Sequence, residues 1–140
     1  MDKEKSPSVS MLLEEARKHN VTIIGGSIPE YCEDKIYNTA MIVSGESERI
    51  TKHRKVHLFD VNVPGGIKFQ ESETLSPGNS YTVYPYSTPK VDVDIGLGVC
   101  YDMRFPELRY AVYPQTYDHT LVLPIPRRVA RCLSTQLHLT

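Results

Sequence analysis

The sequence predicts a mixed α/β (α+β) fold, and three observations carry that expectation. One segment near the start spaces its apolar residues with a helical period. Several later segments are short, β-branched and alternating, and clusters of glycine and proline separate them. With 140 residues the chain is long enough for one domain and short for two. Its 40% hydrophobic and 24% charged residues match an ordinary globular composition.

The helix comes first. Ser6 can cap it, and Pro7 is tolerated at the first helical position. Val9, Leu12, Leu13 and Ala16 then fall on one face. Lys18 and His19 suit the negative end of the dipole, and Asn20 can take the left-handed stop. Residues 21–24 read as a short buried strand ended by Gly25-Gly26, with a turn-rich stretch from 29 to 35. Residues 36–43 and 49–58 read as two strands of a hairpin. Residues 60–78, with Pro64-Gly65-Gly66 and Ser76-Pro77-Gly78, read as a long structured loop.

Residues 91–99 form the most informative strand. Val91, Val93, Ile95, Leu97 and Val99 alternate with Asp92, Asp94, Gly96, Gly98 and Cys100, so Cys100 ends a strand on its small-residue face. Residues 104–108 look like a helix entrance, with Pro106 and Glu107 suited to its first turn. Beyond about residue 112, Pro114, Pro124 and Pro126 interrupt any long element, and residues 127–131 carry a small basic cluster.

Charge and composition exclude several function classes. A net charge of -1 gives no general pull toward nucleic acid or anionic lipid. No apolar run is long enough to cross a bilayer. The charged start leads into no apolar signal segment. Cys32, Cys100 and Cys132 are odd in number and widely separated, which argues against a disulfide framework and against a zinc site. A reducing compartment fits, cytoplasmic in the first instance, with the mitochondrion as the alternative.

In that setting Cys100 is a candidate nucleophile. A cysteine at a strand-to-helix turn is exposed on a rigid backbone, and the N–H groups of the following helix point at it. A thiol near its ordinary pKa of ~8.5 needs a cationic neighbour to give much thiolate at neutral pH. The candidates are in Lys52-His53-Arg54-Lys55-Val56-His57, where alternation puts Lys55 on one face with His53 and His57. On local spacing alone that run also reads as a solvated basic strand, and Cys100 as a small buried hydrophobe.

Five motifs occur in one order: Gly25-Gly26-Ser27-Ile28-Pro29-Glu30, Tyr37-Asn38-Thr39, Arg54-Lys55-Val56-His57-Leu58-Phe59-Asp60, Phe69-Gln70-Glu71-Ser72 and Gly98-Val99-Cys100-Tyr101-Asp102-Met103-Arg104-Phe105-Pro106-Glu107. From about residue 7 to 112 the set resembles the nitrilase or carbon–nitrogen hydrolase superfamily, most closely its omega-amidase branch. The resemblance implies a four-layer α-β-β-α sandwich and a Glu-Lys-Cys triad. It makes Cys100 the nucleophile and Lys55 the triad lysine, and Glu71 a second glutamate that positions lysine and substrate. The Tyr101 N–H and the Lys55 ammonium would hold the oxyanion. Arg104 resembles an arginine that pairs with a substrate carboxylate, although it also reads as an exposed helix-start residue. Asp102 and Glu107 would orient or cap, His57 would be structural, and Tyr37 and Asn38 would bond locally.

The implied reaction is hydrolysis of the terminal amide of α-ketoglutaramate or α-ketosuccinamate through a cysteine thioester, with no metal or organic cofactor. In the resemblance the first triad glutamate lies on a strand before the helix. Here Glu4 has no strand context, so little turnover is expected of this chain. The family-like domain is expected over 1–112, truncated at both ends, with a divergent tail over 113–140. Homo-oligomers, or association with a full-length paralogue, are the expected protein partners. The alternatives are an inactive relic that acts only by binding, and a deaminated-glutathione-type amidase.

Overall fold

The structure, a computed structural model, describes residues 6–108 and the backbone of 120–122. The reading of residues 113–119 and 123–140 as an irregular tail, with its prolines, basic cluster and Cys132, lies outside the described residues.

Helix α1 spans Pro7–His19 and stops at Asn20, which takes the left-handed conformation at φ 49°. Its Asn20 N–H bonds the helix carbonyls, as a C-terminal stop requires. At the other end Ser6 occupies the cap position, but its hydroxyl makes no capping bond; Pro7 is left to set the first turn. Val9 and Ala16 are fully buried against Met41 and Val43, with Leu12 and Leu13 packed beside them.

The strands beneath α1 are β1 (Thr22–Cys32), β2 (Lys35–Ser44) and β3 (Ile50–Arg54), in the antiparallel order β1-β2-β3. The expected four-residue strand is thus eleven residues long and runs through Gly25-Gly26. Those glycines form a bulge rather than an end: Ile24 pairs with Ile42, but Ser27 pairs with Ala40. The extra residue reverses the alternation. Ile23 before it and Ile28 after it therefore both pack toward α1. The turn-rich reading of 29–35 shrinks to Glu33 and Asp34, whose φ values of 50° and 58° make a tight two-residue hairpin turn. The β2–β3 loop passes so close to α1 that a Cβ on Gly45 would lie 2.0 Å from the Ala16 carbonyl oxygen.

The long loop has internal structure: a two-stranded ribbon, β4 (Asp60–Asn62) with β5 (Lys68–Gln70), then a 3-10 turn over Glu71–Glu73. A second sheet follows, β6 (Thr82–Thr88), β7 (Val91–Leu97) and β8 (Thr120–Val122), in the order β6-β7-β8. Strand β6 went unread in the sequence, where Pro85 counts against a strand. Among the described residues β6 is at the edge of its sheet, where a proline is tolerated. Strand β8 pairs parallel to β7 and comes from a stretch with no predicted element.

The sheets meet through Ile42 on one side and Tyr84, Ile95 and Leu97 on the other. The described layers are therefore helix, sheet, sheet. The β2 residues Tyr37, Thr39, Met41 and Val43 face the helix layer, while Ala40 and Ile42 face the second sheet.

Candidate active site

Strand β3 and the residues after it hold side chains on two opposed faces. Lys52 and Arg54 turn to the helix side and meet Glu30, a fully buried carboxylate on β1. Lys52 Nζ lies 2.7 Å from Glu30 Oε1, and Arg54 Nε lies 3.0 Å from Oε2. The Thr39 hydroxyl donates to Oε2 at 2.7 Å. Burial alone would raise the Glu30 pKa, but these bonds outweigh it and hold it at about 2. Arg54 also lies over the Tyr37 ring, 4.0 Å from its centroid.

His53 and Lys55 point the other way and are buried, each 1% exposed. The solvated-strand reading of this run is therefore overturned at both positions. Alternation sends Lys52 and Arg54 to the partly exposed Glu30 side and buries His53 and Lys55 on the other. Lys55 is fixed at its backbone too: its N–H donates to the Asn38 carbonyl and its carbonyl accepts from Gly78, both at 2.8 Å. Gly78 is required there, since a Cβ would lie 2.2 Å from the Arg54 carbonyl oxygen. The Lys55 ammonium lies 2.5 Å from Glu71 Oε2, which also accepts the Phe59 N–H at 2.8 Å. Among the described residues Glu71 is its hydrogen-bond partner, so two of its three N–H groups remain for another acceptor.

Cys100 opens a 3-10 turn, Cys100–Arg104, and a helical turn starts at Pro106. The strand-to-helix placement holds, although β7 ends at Leu97 and the first turn is 3-10 rather than α. Cys100 is partly buried and has φ 51°, in the left-handed region that a non-glycine residue enters at a cost. Gly96 and Gly98 before it are buried.

Asp102, two residues on, is fully buried. Its Oδ1 accepts the His57 backbone N–H and lies 2.8 Å from His57 Nδ1. Its Oδ2 accepts the Val99 N–H at 2.9 Å and lies 3.4 Å from His53 Nε2. Burial would raise its pKa, yet the bonds from His53, Val99 and His57 prevail and hold the carboxyl below the ordinary 3.8. His57 stacks on Phe105, 3.7 Å between centroids. Tyr101 meets Phe59 and Phe105 edge-on at 5.0 and 5.3 Å.

The structure thus joins Lys55 to Glu71 and brings the Lys55 segment onto the Cys100 turn. Arg104 is exposed at the end of that turn. Sequence reasoning missed Glu30, whose available signal was the i, i+2 pair Lys52/Arg54, and it gave His53 no role. Among the described residues no group of three or more His, Cys, Asp or Glu side chains could hold a metal ion. No helix among them is long and apolar enough to cross a membrane.

The carbon–nitrogen hydrolase family model matches residues 2–131. The chain belongs to the carbon–nitrogen hydrolase family. Within that family it is 48% identical to the mouse (Mus musculus) omega-amidase NIT2 over 123 residues, 86% of this chain and 43% of that protein. It is 52% identical to the Saccharomyces cerevisiae omega-amidase NIT3 over 108 residues, 76% of this chain and 36% of that protein. The crystal structure of S. cerevisiae Nit3, a member of branch 10 of the nitrilase superfamily, superposes with a TM-score of 0.72 at 37% identity. That match covers 99% of this chain and 45% of the yeast chain. The family fold is therefore the one seen here, and the chain spans less than half the length of these relatives.

Proposed function

We propose that the chain carries an omega-amidase-like site, with Cys100 as nucleophile and Lys55 and Glu71 as its electrostatic partners. The observation that carries this reading is the buried Lys55 ammonium. It is anchored 2.5 Å from Glu71, and His53 and His57, two positions before and after it, contact Asp102, two positions from Cys100. A cation fixed in advance in a partly dry site stabilises charge that develops only in the transition state.

In this reading the Cys100 sulfur adds to the carbonyl carbon of a terminal amide, and the carbonyl oxygen becomes an oxyanion. The Lys55 ammonium and the Tyr101 N–H, in the first turn after the nucleophile, are its donors. The carbon–nitrogen bond then breaks, and the nitrogen leaves as ammonia with the proton that the thiol gave up. Water attacks the thioester, releases a carboxylic acid and restores the thiol. The proposed substrates are small 2-oxo dicarboxylic acid monoamides, α-ketoglutaramate and α-ketosuccinamate. Arg104, exposed beside the turn, would pair with the far carboxylate.

The test is to incubate the purified chain with α-ketoglutaramate, measuring ammonia release and, by intact mass, acyl transfer to Cys100. Either signal, lost in Cys100→Ala, supports the reading. Absence of both, or persistence of both in Cys100→Ala, overturns it. The same assay with deaminated glutathione identifies the preferred amide.

A further inference from the structure

We propose that Asp102 is a positioning residue that fastens the Cys100 turn to the Lys55 segment, and so sets the geometry between thiol and ammonium. The inference rests on the reading of Cys100 as nucleophile given above.

Residues 53–57 and 99–102 are distant in sequence, and each needs its own constraint. Cys100 holds a left-handed backbone at φ 51°, which persists only where its surroundings over-determine it. The bond from the Val99 N–H to Asp102 Oδ2 closes the backbone around Cys100 from outside. The other segment is gripped on both sides of Lys55, by His53 at Oδ2 and by the backbone and ring of His57 at Oδ1. All of these bonds come from the two segments that must meet. With both oxygens occupied and the side chain fully buried, Asp102 is poorly placed to exchange protons with a substrate. It acts through Cys100 and Lys55.

The alkylation of Cys100 by iodoacetamide reads this role without turnover. Peptide mass spectrometry gives its rate in the 140-residue chain relative to Cys32, a partly buried thiol on β1 in the other sheet. In Asp102→Asn one oxygen still serves His57, but the amide presents N–H groups toward the Val99 N–H. The expected result is a fall of about tenfold in the Cys100 to Cys32 ratio, with Cys32 itself unchanged. Asp102→Ala, which keeps no acceptor, falls further, so the asparagine acts as a partial rescue. A purely structural role would expose both thiols together through unfolding. A parental ratio in Asp102→Asn overturns the proposal.

Should Cys32 also accelerate in Asp102→Asn, marking loss of the fold, His57→Ala decides. It removes the imidazole and spares the backbone donor. The ratio must drop with Cys32 steady, and a parental ratio there overturns the proposal. If Cys100 of the parent chain reacts no faster than Cys32, the nucleophile assignment itself fails and takes this inference with it.

Discussion

Lys55 shows how far one side chain can be specified by its surroundings. Its backbone is bonded on both sides, its ammonium is 1% exposed, and Glu71 supplies its counter-charge. A buried ion pair adds little net stability while both partners are present, but losing one leaves an uncompensated charge. Glu71→Gln should therefore lower stability by about 3 kcal/mol, read as a lower urea midpoint. An unchanged midpoint would mean that the ammonium finds water or another acceptor. At this scale the sequence was legible where motifs carried it: Lys55 and Glu71, which the resemblance paired, do meet, and Cys100 stands at the turn read for it. Asp102 was legible only as a residue that orients or caps. Its partners His53 and His57 lie more than forty positions upstream, and no local pattern records such pairings.

Among the elements, β3 is held by carboxylates on both of its faces, with Glu30 on the helix side and Asp102 between the sheets. Glu30 gives the fold an acid limit. Its folded pKa of about 2 lies below the ordinary 4.5, so as pH falls the unfolded chain takes up the proton first. The stabilisation is full above about pH 4.5 and is lost as pH falls toward 2. Thermal melts across that window should show the parent chain losing stability steeply, and Glu30→Gln, already weakened, doing so less. Parallel curves would show that Glu30 has no part in acid unfolding. Helix α1 was legible because its periodicity and its Asn20 stop agreed, and the β2–β3 hairpin was legible in its pairing, although β3 ends at Arg54, short of the expected residue 58. Strand β1 was misread, since Gly25-Gly26 signals an end and a bulge equally well. Strand β6 was missed because Pro85 is compatible with a strand only when that strand lies at an edge, and edges are decided by tertiary structure.

For the molecule as a whole, the described residues form one sheet covered by α1 and a second sheet packed on its other face. Leu97, fully buried between the sheets and three residues from Cys100, ties that packing to the Cys100 turn. Leu97→Ala should cost roughly 2–5 kcal/mol, seen as a lower urea midpoint, because a rigid interface cannot fully close the cavity. A loss under about 1 kcal/mol would show that the sheets re-close around the gap. The layer order was anticipated from family resemblance rather than from composition, which fixes no topology. The bulge in β1 has a consequence for how this architecture tolerates change in length. Every residue of β1 after Gly26 owes its side of the sheet to one supernumerary position. Deleting that position would turn the Glu30 carboxylate to the opposite face of the sheet, the side of the exposed Tyr31, and strand the two cations of β3 without a counter-ion, whereas an added residue at the hairpin tip would only lengthen a surface loop.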